Sequence, residues 1–397
     1  MRRNRGRLII MAMACSATLG LSACATRPVG LLMPGIAADQ AAHAIDMLVV
    51  SNRQPTDQPG VVYSAKRSRE ISAQDIVVGI PPDANRQKGQ IQWPLSLPAN
   101  PKKDFLTESI ASLDTAGALK WLSEKVPAHD GDLIIFVPGY NTPFDRGVYL
   151  FAQVVYDSDM KATPVLFAWP SQGRLFGYNY DRESATYSRT GLADLLEHAA
   201  NNPDVKHISI LAHSMGGWLT MEALRTGALR GDDYQGKLQS VVLASPDIDV
   251  DVFYAQMQDL SVNPPDITLI ISRDDKALRL ARRIGGNIDR LGAVDLTKEP
   301  YKSEAATSKL HIVDVSGVKV DDQSDHLKFA ENPDLARLIG QSLAQGQKLS
   351  VGQSSFYEDL GISILSGGQT VTSTIGKLQG RSQGSADVEK ASRANTQ

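Results

Sequence analysis

The residues best placed to do chemistry surround a serine between two regular segments. Residues 208–218 read Ile-Ser-Ile-Leu-Ala-His-Ser-Met-Gly-Gly-Trp, an apolar strand pattern that runs into Ser214 and then into a helical pattern. Ala212 and Gly216 flank the serine at two positions, and a tight strand-to-helix turn needs small residues there because larger ones would clash. Such a turn lifts the serine oxygen clear of the sheet, beside the N–H groups of the helix N-terminus. We therefore predict Ser214 as a nucleophile, with a simple helix cap as the plainer alternative.

A serine hydroxyl becomes a good nucleophile only when a base takes its proton. The chain has seven histidines. Six of them fall in the N-terminal segment, in a turn, in predicted helices or strands, or directly beside the serine, where the tight turn is expected to point His213 away from the site. His326 lies in a polar loop after the last predicted strand, at the carboxyl end of a parallel sheet, where ligands and catalytic groups gather. We predict His326 as the base.

A carboxylate must fix the tautomer of that histidine and stabilise its charged form. When the serine follows a strand and opens a helix, the acid is expected between the serine and the histidine in the chain. Three candidates follow predicted strands in this interval: Asp247, Asp274 and Asp275. We prefer Asp275 because it stands directly before a predicted helix, and Asp274 and Asp247 remain alternatives.

Acyl transfer also needs N–H donors for the oxyanion that develops on the substrate. One should be the backbone N–H of Met215, the residue after the nucleophile. The other should come from the loop after an early strand, within residues 136–144, which read Phe-Val-Pro-Gly-Tyr-Asn-Thr-Pro-Phe. Gly139 allows a sharp turn there, so we predict Tyr140 N–H as the second donor.

The elements that must hold these residues alternate between strand and helix from residue 132 to residue 343. This alternation predicts a mostly parallel sheet with helices on both faces. Short apolar strands before residue 100 would add an antiparallel edge. Residues 105–126 have apolar residues at helical spacing and are predicted as one helix. The folded domain is placed at residues 46–345.

The N-terminus has the order of an export signal, predicted over residues 1–23. Four arginines precede an apolar stretch of 14 residues, 8–21, which is shorter than the roughly 20 residues that span a bilayer. Leu21-Ser22-Ala23-Cys24 resembles the lipobox of bacterial lipoproteins, which implies cleavage before Cys24 and a lipid on that cysteine. Residues 24–45 would then be a tether to the membrane.

The absence of an aspartate after Cys24 favours the outer membrane, with the protein facing the periplasm. At the other end, residues 346–397 are rich in Gln, Ser, Gly and Thr and are predicted to be a disordered tail.

Composition removes several classes of function. The net charge of −3 offers no basic surface for nucleic acid. The two cysteines, Cys15 and Cys24, belong to the predicted signal and lipid site. The sequence therefore predicts no disulfide, no cysteine nucleophile and no thiolate zinc site in the mature chain. Neither a metal nor an organic cofactor is implied.

Several of these segments together resemble the α/β-hydrolase superfamily and, more narrowly, the bacterial alpha/beta hydrolase family of unknown function, DUF900. The resemblance covers about residues 45–345 and is carried by residues 137–142, 167–171, 212–216, 272–278 and the loop ending in His326. It implies the α/β-hydrolase fold and a Ser-Asp-His triad, and it implies no particular substrate.

Taken together, these residues predict a carboxylic ester hydrolase that works through an acyl-enzyme. The substrate would be a small-molecule or lipid ester, with residues 172–180 near the entrance. Two alternatives stay open from the sequence. One is an envelope lipoprotein that keeps the fold only as a binding module, and the other is a peptidase or amidase with the same triad.

Overall fold

The computed structural model describes residues 27–34, 41–260, 264–307, 310–345, 362–366 and 369–370. Within them, one sheet has the strand order β11-β10-β9-β8-β7-β6-β4-β5-β1-β2-β3. The strands are β1 His43–Pro55, β2 Tyr63–Ile80, β3 Leu106–Leu113, β4 Asp132–Val137, β5 Thr163–Phe167, β6 His207–His213, β7 Leu238–Ala244, β8 Asp266–Ile271, β9 His311–Asp314, β10 Ser363–Ser366 and β11 Gln369–Thr370.

Helices fill most of the connections between the strands, as the alternating sequence pattern predicts. They are α1 Thr115–Lys125, α2 Phe144–Asp157, α3 Tyr178–Asn201, α4 Met215–Arg230, α5 Val250–Asp259, α6 Lys276–Ile284, α7 Tyr301–Thr307, α8 Lys328–Glu331 and α9 Pro333–Gln345.

The centre of the sheet is parallel and its two edges are antiparallel. β4 lies parallel between β5 and β6, and β6, β7, β8 and β9 follow in parallel pairs. β1 pairs parallel with β5 and antiparallel with β2, which pairs antiparallel with β3. The predicted mostly parallel sheet with an antiparallel N-terminal edge is confirmed. The second antiparallel edge, where β10 pairs with β9, was not predicted.

Apolar residues of the central strands are buried on both faces of the sheet. In β4, Leu133, Ile135 and Val137 belong to one core, together with side chains of α3, α4 and α5. Ile134 and Phe136 belong to the other core, together with side chains of α2 and α9. Because successive strand residues point to opposite faces, a continuous apolar run is what a strand covered on both sides requires.

The single helix expected over residues 105–126 is wrong in its first half. Leu106–Leu113 forms β3, with Leu106 opposite Gly79 and Ile110 opposite Ile76. The helix starts only after Asp114, whose carboxylate accepts a hydrogen bond from the Gly117 N–H at 2.7 Å. Spacings of three and four residues in this segment fit a helix, but pairing with β2 decides the structure, because tertiary contacts override local pattern.

Residues near both ends of the domain take part in its packing. Leu31 and Leu32 are buried, and Leu31 O accepts a hydrogen bond from Tyr149 at 2.9 Å, so this part of the expected tether packs on the domain. Ile362 and Ile364 are also buried, so the expectation of a disordered tail does not hold at β10. The expected signal, residues 1–23, and Cys24 lie outside the described residues. Among the described helices, none has the length and apolar character needed to cross a membrane.

Candidate active site

Ser214 occupies the turn between β6 and α4, as predicted, and its backbone is strained. Its φ of 53° and ψ of −120° lie where residues other than glycine rarely fall. Hydrogen bonds hold this conformation: Ser214 N–H donates to Ala244 O at 2.9 Å, and Ser214 O accepts from Gly217 and Asp247 N–H at 3.0 and 3.1 Å. A strained residue held by its surroundings is a recurrent feature of functional sites.

Two glycines allow the backbone to close around the serine. A Cβ on Gly216 would lie 2.3 Å from Val137 O, so the helix start can approach β4 only without a side chain. A Cβ on Gly139 would lie 2.7 Å from His213 Nδ1 and 3.0 Å from the Ser214 Cβ. The loop after β4 is therefore in direct contact with the turn that carries Ser214.

His326 and Asp275 are brought together from 51 residues apart. His326 Nδ1 lies 2.6 Å from Asp275 Oδ2. The other carboxylate oxygen of Asp275 accepts the Leu278 N–H at 2.9 Å and caps α6. Since both oxygens are engaged and the side chain is fully buried, Asp275 has one orientation, and it holds the imidazole with Nδ1 as donor and Nε2 free to accept.

The charges around His326 change its pKa. Burial lowers the pKa, but the attraction of the Asp275 carboxylate, its hydrogen bond, and the nearby Asp247 and Asp322 charges more than offset this, so the net pKa is raised above 6.5. Asp322 also holds the loop, since its Oδ2 accepts the His326 N–H at 3.1 Å.

The two alternative acids have other partners. Asp274 Oδ1 and Oδ2 both lie 2.8 Å from Nζ of the buried Lys328. Asp247 accepts a hydrogen bond from Tyr178 at 2.9 Å, and its Oδ1 lies 3.4 Å from Arg290 Nε. Burial raises the pKa of Asp247 and Arg290 opposes this rise. Of the three aspartates, Asp275 is the one hydrogen-bonded to His326 in the described structure.

His213 does not point away from the site, as the sequence interpretation assumed. Its ring centroid lies 4.6 Å from that of His326, and its Nε2 lies 3.2 Å from His326 O. Burial, together with repulsion from His326, holds the pKa of His213 well below 6.5, so the ring is neutral and donates through Nε2. His213 therefore braces the backbone of the His326 loop.

The two expected oxyanion donors belong to the loop after β4 and to the start of α4, two segments that come into contact at Ser214. Tyr140 follows β4 and Met215 opens α4. Throughout the described residues, neither N–H group donates a hydrogen bond to a protein acceptor, whereas the next two N–H groups of the loop, on Asn141 and Thr142, do. Free backbone donors at a helix N-terminus and an adjoining loop are what oxyanion binding requires.

Asp181, which the sequence analysis missed, holds this loop in place. It is fully buried at the start of α3, and its Oδ2 accepts the Asn141 N–H at 3.1 Å and the Ser171 hydroxyl at 2.6 Å. Its Oδ1 accepts the Gln172 N–H at 2.6 Å. Asn141 has a φ of 56°, a conformation that asparagine tolerates better than most residues.

Arg53, also missed, ties the same loops to β1. Its guanidinium donates to Thr142 O at 2.9 Å and to Ser171 O at 3.0 Å. Burial lowers the pKa of Arg53 to about 10, and the nearby Asp181 carboxylate limits this fall. Arg53 and Asp181, both buried, therefore each hydrogen-bond the backbone just after Tyr140.

A cavity of about 320 Å³ lies over these residues. Ser214, His326 and Tyr140 form part of its wall, and much of the remaining wall is apolar: Leu150, Leu175, Leu278, Leu280, Ile284 and Leu327. The size falls in the lower range of small-molecule sites, which are largely apolar with a few polar groups. Among the residues that the structure describes, no cluster of three His, Cys, Asp or Glu side chains is arranged to hold a metal ion.

Residues 114–342, more than half of the chain, match the model of the family described as "Alpha/beta hydrolase of unknown function (DUF900)". The chain belongs to the DUF900 family of alpha/beta hydrolases. Ser214, Asp275, His326, Tyr140 and Met215 all lie inside the matched region, whereas β1, β2, β3, β10 and β11 lie outside it. Membership establishes the alpha/beta hydrolase fold for this DUF900 protein.

Other comparisons give more distant likenesses. The "Uncharacterized protein alr1448" of Nostoc sp. is 29% identical over 131 residues, which are 26% of this chain and 33% of the relative, so the match spans a third of that protein. An esterase of Pyrobaculum calidifontis is 11% identical, with 83% of this chain and 90% of that chain covered and a TM-score of 0.34. A lipase-esterase related protein of Clostridium acetobutylicum is 13% identical, with coverages of 53% and 94% and a TM-score of 0.28.

Proposed function

We propose that this DUF900 protein is a serine hydrolase that cleaves carboxylic esters through an acyl-enzyme. The observation that carries the proposal is the 2.6 Å contact between His326 and Asp275 beside a cavity that also contains the strained Ser214. A nucleophile, a base and a group that orients the base are the three parts that such catalysis requires.

In this mechanism His326 Nε2 takes the proton of the Ser214 hydroxyl as its oxygen attacks the ester carbonyl. Asp275 stabilises the imidazolium that forms. The backbone N–H groups of Tyr140 and Met215 bind the oxyanion of the tetrahedral intermediate. His326 then protonates the departing alcohol, and in the second half it activates a water that releases the acid from Ser214.

The shape of the cavity favours esters with an apolar acyl group. Its wall combines one polar cluster around Ser214 with several leucines and Ile284. A peptide substrate would need acceptors and donors for its own backbone, whereas an acyl chain needs only apolar surface. Esters are therefore expected to be cleaved better than the matching amides.

The first experiment is labelling of the full chain with a fluorophosphonate probe, which reacts with activated serines. Wild type should be labelled at Ser214, and Ser214→Ala should not be labelled. Ser209→Ala is a matched control, because Ser209 is a buried serine of β6 that donates to Leu343 O and lies away from the cavity wall. A folded wild type that stays unlabelled, or labelling that survives in Ser214→Ala, would overturn the proposal.

The substrate class is tested with p-nitrophenyl esters against the p-nitroanilides of the same acids. We expect kcat/KM to be higher for the esters and to rise with acyl chain length until the cavity is filled. Faster cleavage of the anilides would replace the esterase proposal by an amidase or peptidase.

We also propose that the protein is a lipoprotein, supported by the order of arginines, apolar residues and Leu21-Ser22-Ala23-Cys24. The lipid on Cys24 would place the hydrolase at the outer membrane, facing the periplasm. Labelling cells with radioactive palmitate should mark the wild type and not Cys24→Ser, whereas Cys15→Ser is the matched control and should keep the label. Loss of label in both variants, or in neither, would contradict this proposal.

A further inference from the structure

Large apolar side chains are exposed at the mouth of the cavity. Leu280 and Ile284 are 47% and 49% exposed, and they lie one turn apart on α6. Leu175 is 61% exposed, and all three also form part of the cavity wall. The cavity therefore opens to solvent between the loop before α3 and helix α6. Phe176, beside Leu175, is 99% exposed and stands outside the cavity.

The segment that carries Leu175 and Phe176 is held in place. The Tyr140 hydroxyl donates to Arg174 O at 3.2 Å and to Leu175 O. The Gly177 N–H donates to Arg174 O at 2.9 Å and closes the turn. A fully exposed phenylalanine contributes no burial free energy to the fold. A turn that holds it in this position makes its side chain available to a binding partner.

The same rim carries positive charge. Helix α6 reads Lys-Ala-Leu-Arg-Leu-Ala-Arg-Arg-Ile, with no acid and four cations, two of which form ion pairs with aspartates elsewhere in the chain. Arg279 and Arg283 directly precede Leu280 and Ile284, so they border the exposed apolar pair along one side of the helix. Across the described part of the chain, neither of these arginines forms an ion pair with an acidic residue. Arg174 adds a further exposed cation next to Leu175.

We propose that this rim docks on an anionic lipid surface. We favour a bilayer over a protein partner as the occupant. Exposed apolar side chains beside cations complement acyl chains that lie beneath negatively charged headgroups. Leu175, Phe176, Leu280 and Ile284 would enter the acyl region and the arginines would meet the headgroups. The mouth of the cavity would then face the bilayer directly. This docking proposal rests on the hydrolase function proposed above, and it names the substrate class: acyl esters held in a membrane rather than esters dissolved in water.

A tryptophan at position 176 tests the docking of the rim directly. Its fluorescence reports whether this residue contacts lipid, even if the N-terminus of the full chain also binds the vesicle. Phe176→Trp in a Ser214→Ala background is mixed with vesicles whose acyl chains carry bromine, a quencher of indole fluorescence at short range. The matched control is Leu95→Trp, because Leu95 is 85% exposed and is not part of the cavity wall. Fluorescence of the parent chain, with its four native tryptophans, is subtracted.

Quenching of the added indole in Phe176→Trp, and not in Leu95→Trp, is the expected result. It should be stronger on vesicles of phosphatidylglycerol and phosphatidylcholine than on phosphatidylcholine alone, and Arg279→Gln with Arg283→Gln should remove that difference. The proposal would be overturned by no quenching at position 176, by equal quenching at both positions, or by equal quenching on both kinds of vesicle. If position 176 showed no quenching, a protein partner would be the remaining occupant of the rim.

Activity on two forms of ester separates this proposal from the hydrolase function. Phe176→Ser should lower the rate on esters embedded in anionic vesicles by about tenfold or more, since one phenylalanine no longer enters the acyl region. It should leave the rate on dissolved p-nitrophenyl acetate unchanged. Fluorophosphonate labelling without quenching keeps the hydrolase and refutes the docking, whereas quenching without labelling keeps the docking surface and refutes the hydrolase.

Discussion

Asp275→Asn changes one atom that touches His326 and leaves the rest of the site almost intact. The remaining oxygen of the asparagine can still accept the Leu278 N–H, and asparagine caps helices about as well as aspartate. The position 2.6 Å from His326 Nδ1 then carries an NH₂ group. Two donors cannot share that contact, so the neutral imidazole must move its proton to Nε2. In the proposed mechanism Nε2 takes the proton of Ser214, and a protonated Nε2 can no longer do so.

The expected loss follows from this tautomer change. Holding the histidine in the wrong tautomer costs a Ser-His-Asp site roughly 10⁴-fold in kcat, which corresponds to about 5 kcal/mol in the activation barrier. KM should change little, because Asp275 is buried behind His326 and is not part of the cavity wall. The melting temperature should stay within a few degrees of wild type because the helix cap is kept.

The assay is the steady-state hydrolysis of a short p-nitrophenyl ester, with circular dichroism to verify folding. Asp274→Asn and Asp247→Asn are the matched controls. Each should keep kcat within about tenfold of wild type while lowering thermal stability, since Lys328 or Arg290 would be left buried without its carboxylate. If Asp275→Asn kept most of its kcat and Asp247→Asn lost a thousandfold, the acid would be Asp247 and this reasoning would be refuted.

Three more results are expected. Asp181→Asn should lower kcat about tenfold to hundredfold with little change in KM, because the loop that presents Tyr140 N–H loses one of its fixing contacts; an equal rise in KM in ester kinetics would contradict this. Wild-type kcat/KM should rise with pH through the pKa of His326, above 6.5, since only the neutral ring accepts a proton; a profile flat from about pH 5 to 8 would contradict it. Gly216→Ala should lower the melting temperature and abolish probe labelling, because its Cβ would meet Val137 O at 2.3 Å; a normal melting curve would contradict it.

The parts of the fold that the sequence predicts well are those with one dominant local signal. The buried parallel strands read as continuous apolar runs, and the serine between a strand and a helix marks its own turn. The segment at 106–113 shows where this reasoning fails. Its apolar spacing suits a helix, but the open side of β2 determines that it pairs as a strand. The C-terminal strand β10 is four residues long in a polar region, and only its partner β9 reveals it.

The residues of the candidate site also differ in how well the sequence predicts them. The turn at Ser214 and the contact of His326 with Asp275 could be predicted, because each residue stands at a recognisable place in the chain order. Arg53 could not, because it contacts Thr142 and Ser171, 89 and 118 residues further along the chain. Asp181 could not, because it holds Asn141, 40 residues before it. No spacing marks two buried charged residues that hydrogen-bond the backbone of a loop. His213 was misjudged because its neighbour in space, His326, is 113 residues distant.

The pairing of β10 with β9 has a consequence for any shortened form of this protein. β9 has β8 on one side and β10 on the other, and β10 lies beyond the region shared with the family. A chain cut after residue 345 would keep the proposed triad but expose the N–H and C=O groups of β9 along one side. Such an open strand is a template for a second molecule. The truncated protein would therefore associate as its concentration rises, although the residues around Ser214 would be unchanged.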